Sequence, residues 1–433
     1  MRLGIGHAAF VFLVGACLAP SSALAQTVAV ASGTPGKVHL LPATMETTQV
    51  GWYDNAQKPV LTVKPGDTVV METMMHFHDA LVPGASFEAM AKIRTANPGR
   101  GAHTLSGPIY VDGAEPGDVL KVRINKIVPR SYGVNMNYPG FAGQFPKLFP
   151  EGRMRFVYID AESKVIEFLP GVYVPLRPFP GVLGVARAEP GRYSTTPPGR
   201  YGGNLDIREL IAGTTLYVPV FVKGALLWTS DSHAAQGNGE VNLTGIETAF
   251  REFNITVDVV KGQTYEWPRI ETPTHWLTLG YDEDLNKALD ILKAETTKFI
   301  VEQRRIAPAE AQRIMLQGWD CRISEVVDIV KGTFCFNPKN TGAKAPAPLP
   351  IKETASDYVT VARNADLNKA MDEASLAMID LLAQTRKLDR LDAYALASVA
   401  MDCRIAPPAG GDVAVHCLVA KSLWDKPKAV AAK

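Results

Sequence analysis

The sequence has no excess of charge of either sign. Its 433 residues include 45 lysines and arginines against 44 aspartates and glutamates, a formal net charge of +1. Electrostatic binding of nucleic acid or of an anionic membrane surface needs a basic excess. The composition therefore predicts no nucleic-acid partner. The length is enough for two or three domains with sizeable cores.

The sequence also offers little apolar length for a membrane helix at its N-terminus. The apolar run at residues 8–19 is too short to span a bilayer permanently. It follows Arg2 and precedes the small-residue segment Ala23-Leu24-Ala25, a pattern typical of a secretory signal peptide. We predict that residues 1–25 are such a peptide, and that a secreted or periplasmic protein begins near Gln26.

An alternative interpretation of the same segment is a lipoprotein signal. Val14-Gly15-Ala16-Cys17 resembles a lipobox, which would leave Cys17 acylated and the mature chain anchored to a membrane. Without that lipid, we expect no membrane association.

Turn-forming residues are abundant, with 36 glycines and 31 prolines, as is typical of a β-rich protein. Short β-branched runs alternate with turns, and two stretches place Pro-Gly-Asp between apolar runs: VLTVKPGDTVVMET and IYVDGAEPGDVLKVRI. Proline and glycine at the second and third turn positions predict a hairpin in each. We predict a mainly β fold, with residues 26–270 forming an antiparallel sandwich or barrel-like core that carries the site.

The C-terminal part changes to helical periodicity and repeats itself. Asp284-Leu285-Asn286-Lys287-Ala288 matches Asp366-Leu367-Asn368-Lys369-Ala370 at an offset of 82 residues. The sequence predicts a duplicated α+β unit of two helices and a hairpin, with copies at residues 271–337 and 357–424. A Pro/Ala-rich linker, residues 338–356, joins them.

Cysteine is scarce: the chain has five, and four remain after residue 25. Cys321 and Cys335 occupy the places in the first copy that Cys403 and Cys417 occupy in the second. Each pair lies on the predicted arms of one hairpin, and an exported protein meets an oxidising compartment. We predict the disulfides Cys321–Cys335 and Cys403–Cys417.

The stretch from Leu226 to Glu247 is the strongest candidate for a functional site. An apolar strand changes abruptly into acids, amides, a histidine and glycines. Asp231 and His233 are two residues apart and point to the same face of an extended chain. With Gln236 and Glu240 in the following glycine loop, they form a constellation suited to metal binding or acid–base chemistry.

Other polar clusters are weaker signals. His76 and His78 share one face if their segment is extended, and we interpret both as structural or exposed. His103, framed by glycines before a strand, is a better ligand candidate. Asn204 and Asp206 follow a glycine pair whose spacing matches neither a phosphate loop nor a dinucleotide-binding fingerprint.

Five long motifs follow one another along the chain: HTLSGPIYVDGAEPGD (103–118), PFPGVLGVA (178–186), PPGRYGGNLD (197–206), LYVPVFVKGALLWTSDSHAAQGNGE (216–240) and ETPTHW (271–276). In this order they resemble the acetamidase/formamidase family over nearly all of the predicted mature chain. The resemblance implies a metal-associated hydrolase that releases ammonia from short carboxamides. It also implies a mainly antiparallel β fold with an α+β part near the C-terminus.

Amide hydrolysis suggests roles for the motif residues. We assign His103, Asp231 and His233 as ligands of a divalent metal, with zinc the first choice and calcium the alternative. The first choice for the proton-carrying carboxylate is Glu240 and the second is Glu115. Gln236 and Asn204 would orient the amide or stabilise the developing oxyanion. Ser232 adjoins Asp231 and His233 too closely for a Ser-His-Asp relay.

The chain also departs from the family pattern. Many members have Gly-Asp-Gly-His-Ala where this chain has Ser230-Asp231-Ser232-His233-Ala234, and aspartate where Asn238 stands. These changes leave open an alternative function, a secreted non-catalytic binding or scaffold protein that retains the hydrolase fold. The expected partner of the enzyme is a small amide substrate, and the sequence allows a homo-oligomer.

Overall fold

Strands form much of the described chain and pair mainly into two large sheets. The computed structural model describes residues 36–138, 140, 142–340, 342–408 and 411–427. The predicted signal peptide, with Cys17 and the cleavage position before Gln26, lies outside these residues. In chain order the strands are β1 (Val38–Leu41), β2 (Thr48–Val50), β3 (Trp52–Asp54), β4 (Leu61–Val63), β5 (Thr68–Met71), β6 (Thr104–Val111), β7 (Val119–Pro129), β8 (Tyr132–Asn137), β9 (Arg153–Tyr158), β10 (Val165–Leu169), β11 (Val172–Pro175), β12 (Phe179–Val185), β13 (Arg192–Ser194), β14 (Gly202–Asn204), β15 (Thr215–Pro219), β16 (Leu227–His233), β17 (Glu247–Thr248), β18 (Phe250–Val260), β19 (Arg269–Glu271), β20 (His275–Asp282), β21 (Cys321–Ile323), β22 (Lys331–Pro338), β23 (Asp357–Asn364), β24 (Asp402–Ile405) and β25 (Val413–Ala420).

The helices are fewer and lie mainly in the C-terminal part. They are α1 (His76–Asp79), α2 (Phe87–Thr95), α3 (Leu285–Arg304), α4 (Pro308–Gln317), α5 (Leu367–Arg386) and α6 (Arg390–Ala400), followed by a 3₁₀ turn at Lys421–Trp424. In the part of the chain that the structure describes, no helix combines the length and apolar character needed to cross a bilayer.

The larger sheet has twelve strands within the described residues, in the order β1-β5-β18-β7-β15-β19-β20-β22-β21-β24-β25-β23. The smaller sheet has nine there. Six follow the order β14-β12-β16-β17-β8-β9, and β6 lies beside β16 with β2 and β4 beside β6. Most neighbours are antiparallel, whereas β1 with β5 and β4 with β6 are parallel.

The two sheets share one hydrophobic core. It contains Val122 and Phe253 from the larger sheet, and Val182, Leu183 and Trp228 from the smaller one. In β18, buried residues alternate with more exposed ones, as expected for a strand with one face on the core. The predicted mainly β, sandwich-like fold is therefore confirmed.

The two Pro-Gly-Asp turns form, but the predicted hairpins are wrong. Gly66 and Gly117 have φ of 90° and 94°, the left-handed conformation that glycine adopts readily. The turns join β4 to β5 and β6 to β7, and in both cases the first strand belongs to the smaller sheet and the second to the larger one. A tight turn determines that the chain reverses, whereas the choice of sheet depends on contacts distant in sequence.

The C-terminal part contains two units with the same order of elements. The first runs β20, α3, α4, β21, β22 and the second β23, α5, α6, β24, β25. Each unit therefore begins with a strand that the predicted helix–helix–hairpin pattern did not include, and β20 and β23 start 82 residues apart, at positions 275 and 357. The larger sheet runs from the sandwich into both units, and β19 spans the boundary that we predicted at residue 270.

The two units pack on each other through equivalent residues. In the antiparallel pair of β21 and β24, Arg322 lies opposite its counterpart Arg404. The Asn286 side-chain amide donates to Asp366 at 2.9 Å, and Asn368 donates to Asp284 at 2.8 Å. Such reciprocal contacts are those of a two-fold interface, here within one chain.

Both predicted disulfides are present. Cys321 is bonded to Cys335 and Cys403 to Cys417, each across 14 residues of sequence. In both hairpins the two cysteines lie directly opposite each other in the strand register. One bridge therefore closes each unit.

We expect the Cys403→Ser/Cys417→Ser double variant to lose about 3 kcal/mol of unfolding free energy, because the bridge restricts the unfolded chain. Urea denaturation with and without reductant measures this loss. The control is a variant in which all four of these cysteines are replaced, and its denaturation midpoint should not change with reductant. An unchanged denaturation midpoint in the double variant would contradict the expectation.

Candidate metal centre and active site

The centre of the site lies at the end of β16, in the middle of the smaller sheet. All residues of β16 are buried, and the strand pairs with β12, β6 and β17. Asp231 has φ of 49°, a conformation that is costly for a residue with a side chain and that recurs at functional sites. Gly181 on β12 gives its carboxylate room, because a Cβ there would lie 2.5 Å from Asp231 Oδ2.

Two histidines distant in sequence meet one oxygen of this carboxylate. His76 Nε2 lies 2.9 Å and His103 Nε2 3.7 Å from Asp231 Oδ1. His76, His103 and Asp231 each offer a ligand atom, and these atoms lie within 4.8 Å of one another. Ligand atoms about 2.1 Å from a shared tetrahedral ion are separated by roughly 3.4 Å, so the spacing suits a metal ion.

The expectation that His76 and His78 share one face of an extended segment is wrong, and His76 is buried rather than exposed. The segment is not extended: Phe77 and His78 both have φ of 55°, so neighbouring side chains do not alternate as on a strand. This distortion buries His76 against Asp231. His78 lies outside the cluster, and its backbone N–H donates to Thr104 Oγ1 at 2.8 Å.

The second oxygen of Asp231 faces His233. His233 Nε2 lies 3.3 Å from Asp231 Oδ2 and 3.0 Å from Glu247 Oε2. His233 and Glu247 are opposite each other in the register of β16 and β17. Glu247 Oε2 also lies 3.6 Å from His76 Nε2, so one carboxylate contacts both imidazoles.

Gln236 determines which nitrogen of His233 is available. His233 Nδ1 lies 2.7 Å from Gln236 Oε1, a carbonyl oxygen that can only accept, so Nδ1 carries the proton. In the neutral ring, Nε2 is then a lone pair directed at Asp231 and Glu247. A lone pair facing two carboxylates is stable only with a cation, a proton or a metal ion, between them.

Further acids and amides form one wall of the site. Asp206 Oδ1 lies 3.7 Å from His233 Nδ1, and Glu240 Oε1 lies 4.0 Å from His233 Nε2. Both acids have positive φ, 45° and 46°. Asn204 donates its amide to Asp328 Oδ2 at 2.9 Å, so that group is occupied by a residue of the first C-terminal unit.

Burial and neighbouring charges set the ionisation of these groups. Burial lowers the pKa of His103 to about 4 and raises the pKa of Asp328 to about 7. Burial also raises the pKa of Asp206 well above its usual range, and the charge of Asp231 adds to the effect. For Asp231 itself, burial acts to raise the pKa, but His103 and His233 outweigh it and hold the pKa well below its usual range. The site thus contains more buried carboxyl groups than imidazoles, and either protons or a metal ion can balance their charge.

Unpaired polar atoms provide a further test of whether a metal ion fits. His233 Nε2, Glu247 Oε2 and both carboxylate oxygens of Asp206 are buried and have no hydrogen-bond partner. Buried polar atoms are rarely left unpaired, and these atoms belong to two further groups that could hold an ion: Asp231, His233 and Glu247, and Asp206, His233 and Glu240. Histidine and carboxylate together are typical ligands of a divalent transition metal, and the donor set fits one.

The structure brings together His103, Asp231, His233, Gln236, Glu240 and Asn204, but not Glu115. The Glu115 side chain is 51% exposed on the turn between β6 and β7, where it pairs with Lys223 at 3.8 Å. A residue on an exposed turn cannot exchange protons within the buried cluster. Ser232 points away from the histidines and pairs with Thr73 at 2.8 Å, which agrees with the rejection of a serine relay.

Sequence reasoning missed His76, Glu247 and Asp328. Glu247 ends the stretch that we singled out, yet nothing in its spacing indicates pairing with His233, because a loop of 13 residues separates them. The sequence signal for His76 was its position two residues from another histidine, His78. Asp328 follows β21 in a segment without a motif, and only the tertiary fold places it beside Asn204.

We expect the purified protein to retain about one equivalent of a divalent transition metal per chain. His76→Ala and Asp231→Asn should each lower the retained metal at least tenfold after dialysis against a weak chelator, because each removes a ligand atom. Elemental analysis measures the metal, and His78→Ala, altered in the same segment, is the matched control. Undiminished metal in both ligand variants would show that these residues do not hold it.

Known proteins resemble this chain in sequence and in fold. The acetamidase/formamidase family model matches residues 43–192 and 187–415. An acetamidase of Mycolicibacterium smegmatis is 31% identical over 224 residues, which cover 38% of this chain and 55% of that protein. A formamidase of Methylophilus methylotrophus is 27% identical over 259 residues, which cover 47% of this chain and 61% of that protein.

The match thus spans between about half and three fifths of each of these relatives. A solved structure extends the likeness to the fold. The predicted acetamidase/formamidase of Thermoanaerobacter tengcongensis matches with a TM-score of 0.63 at 30% identity, covering 70% of this chain and 96% of that one. Because the family model covers most of the chain, including His103, Asp231 and His233, the chain belongs to the acetamidase/formamidase family.

Proposed function

We propose that the protein hydrolyses the C–N bond of a short carboxamide and releases ammonia. The observation that carries this proposal is the Asp231 carboxylate, buried between His76, His103 and His233. The names of the two relatives, acetamidase and formamidase, support a simple amide as the substrate class. The side chains of His76 and His103 are each only 10% exposed, which suits a small substrate.

We assign His76, His103 and Asp231 as the residues that would hold a divalent metal, with zinc the best fit. Two imidazole nitrogens argue against calcium, which prefers oxygen ligands. When bound, such an ion polarises a carbonyl and lowers the pKa of a water molecule. The assignment of His233 as a ligand is also supported, because His233 forms one candidate group with Asp231 and Glu247 and another with Asp206 and Glu240.

Glu247 is the best placed proton carrier. Its Oε1 accepts the N–H of Gly245 at 2.9 Å, which fixes the carboxylate, while Oε2 is buried without a hydrogen-bond partner and faces His76 and His233. Glu240, favoured from the sequence, is farther from His233 Nε2, at 4.0 Å against 3.0 Å. We therefore give Glu247 the role that the sequence suggested for Glu240.

The reaction is balanced with these residues. Water oxygen bonds to the carbonyl carbon while Glu247 accepts a water proton. The C–N bond then breaks, and the proton passes from Glu247 to the departing nitrogen. The products are a carboxylic acid and ammonia. Gln236 acts indirectly, by holding the His233 ring, rather than by binding the substrate amide as we first supposed.

Ammonia release from formamide, acetamide and propionamide by the metal-loaded protein tests the proposal. Glu247→Gln, which keeps the shape of the side chain but cannot carry the proton, should lower kcat by about 10²–10⁴. Glu115→Gln, the second carboxylate suggested by the sequence, should leave kcat unchanged. Retained metal with no ammonia from any amide would favour the alternative, a non-catalytic binding or scaffold protein.

We also propose that the protein is exported. The two disulfides support this, since such bonds persist in the periplasm and outside the cell but rarely in the cytosol. We expect the periplasmic form to begin near Gln26, and a chain without residues 1–25 to stay in the cytoplasm. Intact-mass measurement distinguishes this outcome from a lipid-modified Cys17, which would support the lipoprotein alternative.

A further inference from the structure

The loop from Gln236 to Asn242, here called the site loop, carries Gln236 and Glu240 to His233. All its residues are buried, yet within the described chain only isolated bridges connect it to strands, at Asn238 and Gly239. Its position therefore depends on other contacts. Four of its backbone N–H groups, those of Gly237, Asn238, Gly239 and Asn242, donate to the C-terminal units.

Backbone carbonyls of the second unit accept two of these hydrogen bonds. Gly237 N–H donates to the Ser398 carbonyl at 2.8 Å and Asn238 N–H to the Met401 carbonyl at 2.7 Å. Both carbonyls lie at the end of α6, where helix carbonyls lack a partner within the helix. A Cβ on Gly237 would lie 2.7 Å from the Met401 carbonyl oxygen, so only glycine lets the loop approach this closely.

Further contacts tie the remainder of the loop to both units. Tyr394 on α6 donates its hydroxyl to the Val241 carbonyl at 2.5 Å, and Asn242 N–H donates to Ser398 Oγ at 3.1 Å. From the first unit, the Ser324 carbonyl accepts Gly239 N–H at 2.8 Å. The loop is thus held on the side facing the two units.

A hydrogen bond between two side chains also joins the loop to the second unit, from Asn238 to Asp402. Asn238 Nδ2 donates to Asp402 Oδ1 at 2.6 Å. The same carboxylate accepts from Arg404 Nε at 2.8 Å and forms ion pairs with Arg208 at 3.0 Å and Arg322 at 3.5 Å. Burial acts to raise the pKa of Asp402, but these arginines outweigh it and hold the pKa well below its usual range. Asp402 is therefore a fixed, ionised acceptor.

The equivalent residue of the first unit does not perform this task. Asp320 lies 82 residues before Asp402 and pairs with Arg322 at 3.3 Å, with its side chain 24% exposed. Asn238 contacts only one of the two equivalent aspartates. The two units thus contain similar aspartate–arginine pairs, and of these two aspartates Asp402 is the one that accepts a hydrogen bond from the site loop.

We propose that Asp402, acting through Asn238, makes the second C-terminal unit a positioning element that holds Gln236 and Glu240 against His233. The predicted effect of Asp402 on kcat rests on the proposed amide hydrolysis, whereas its predicted effect on the position of the site loop does not. An aspartate at position 238 would lose the hydrogen bond, because an ionised carboxylate cannot donate.

The test exchanges the two side chains. Asn238→Asp should lower kcat about 10–100-fold, because small displacements in a site are costly, while bound metal stays unchanged. The double variant Asn238→Asp/Asp402→Asn restores one donor and one acceptor. Its kcat should be at least tenfold higher than that of Asn238→Asp. Asp320→Asn, the matched control in the first unit, should keep kcat within about twofold.

Hydrogen exchange gives a readout that does not depend on activity. In Asn238→Asp, the amides of residues 237–239 should exchange at least tenfold faster than in the wild type, and the double variant should reverse this. A merely destabilised protein would instead exchange faster throughout its core. If Asn238→Asp does not fold, Asn238→Ala removes the donor without adding charge and should show the same local loss.

The proposal is overturned if exchange at residues 237–239 is unchanged in the single variant, or if the double variant recovers neither kcat nor protection. An equal loss in Asp320→Asn would also overturn it, since the effect would then not be specific to Asp402. If the wild type releases no ammonia from any amide, the proposed function fails, and the exchange measurements alone decide the role of the second unit.

Discussion

The buried carboxylate of Asp231 is the interaction on which the site depends. Its two oxygens meet imidazoles from three separate parts of the chain, at positions 76, 103 and 233. Because isolated charge is costly to bury, this carboxylate needs polar partners, and the fold supplies them from α1, from the segment before β6 and from β16 itself. The left-handed backbone at Asp231 and the distorted segment at Phe77 and His78 are conformations that the surrounding packing has to stabilise.

Much of the fold could be predicted because it is encoded locally. The repeated segments at Leu285 and Leu367, the helical periodicity and the paired cysteines all lie within short stretches whose pattern has one structural interpretation. The Pro-Gly-Asp turns were predicted as turns for the same reason, since Gly66 and Gly117 can adopt positive φ. The assignment of their strands to two sheets failed because strand partners are chosen by long-range packing, which a turn does not specify.

The part of the site that could be predicted is likewise the part formed by residues close together in sequence. Asp231 and His233 are two residues apart on one strand, and that spacing alone predicts a shared face. His76 and Glu247 could not be found in this way. His76 reaches the site because positive φ values at Phe77 and His78 break the alternation of side chains in its segment. Glu247 reaches it because β17 pairs with β16 and places Glu247 opposite His233. Glu115 illustrates the converse error, because membership of a motif does not say whether a residue faces the core or the solvent.

The two C-terminal units contact each other through equivalent residues, but they contact the site through different ones. The reciprocal amide caps of Asn286 and Asn368 and the opposed pair of Arg322 and Arg404 are self-complementary, so the same few residues stabilise the interface twice. A single site cannot be symmetric with respect to two units, however. The site loop rests on the end of α6 and on Asp402, whereas Asp328 of the first unit reaches Asn204 on the other side of the site. Each copy therefore retains the shared packing, while the contacts that the two copies make with the site differ.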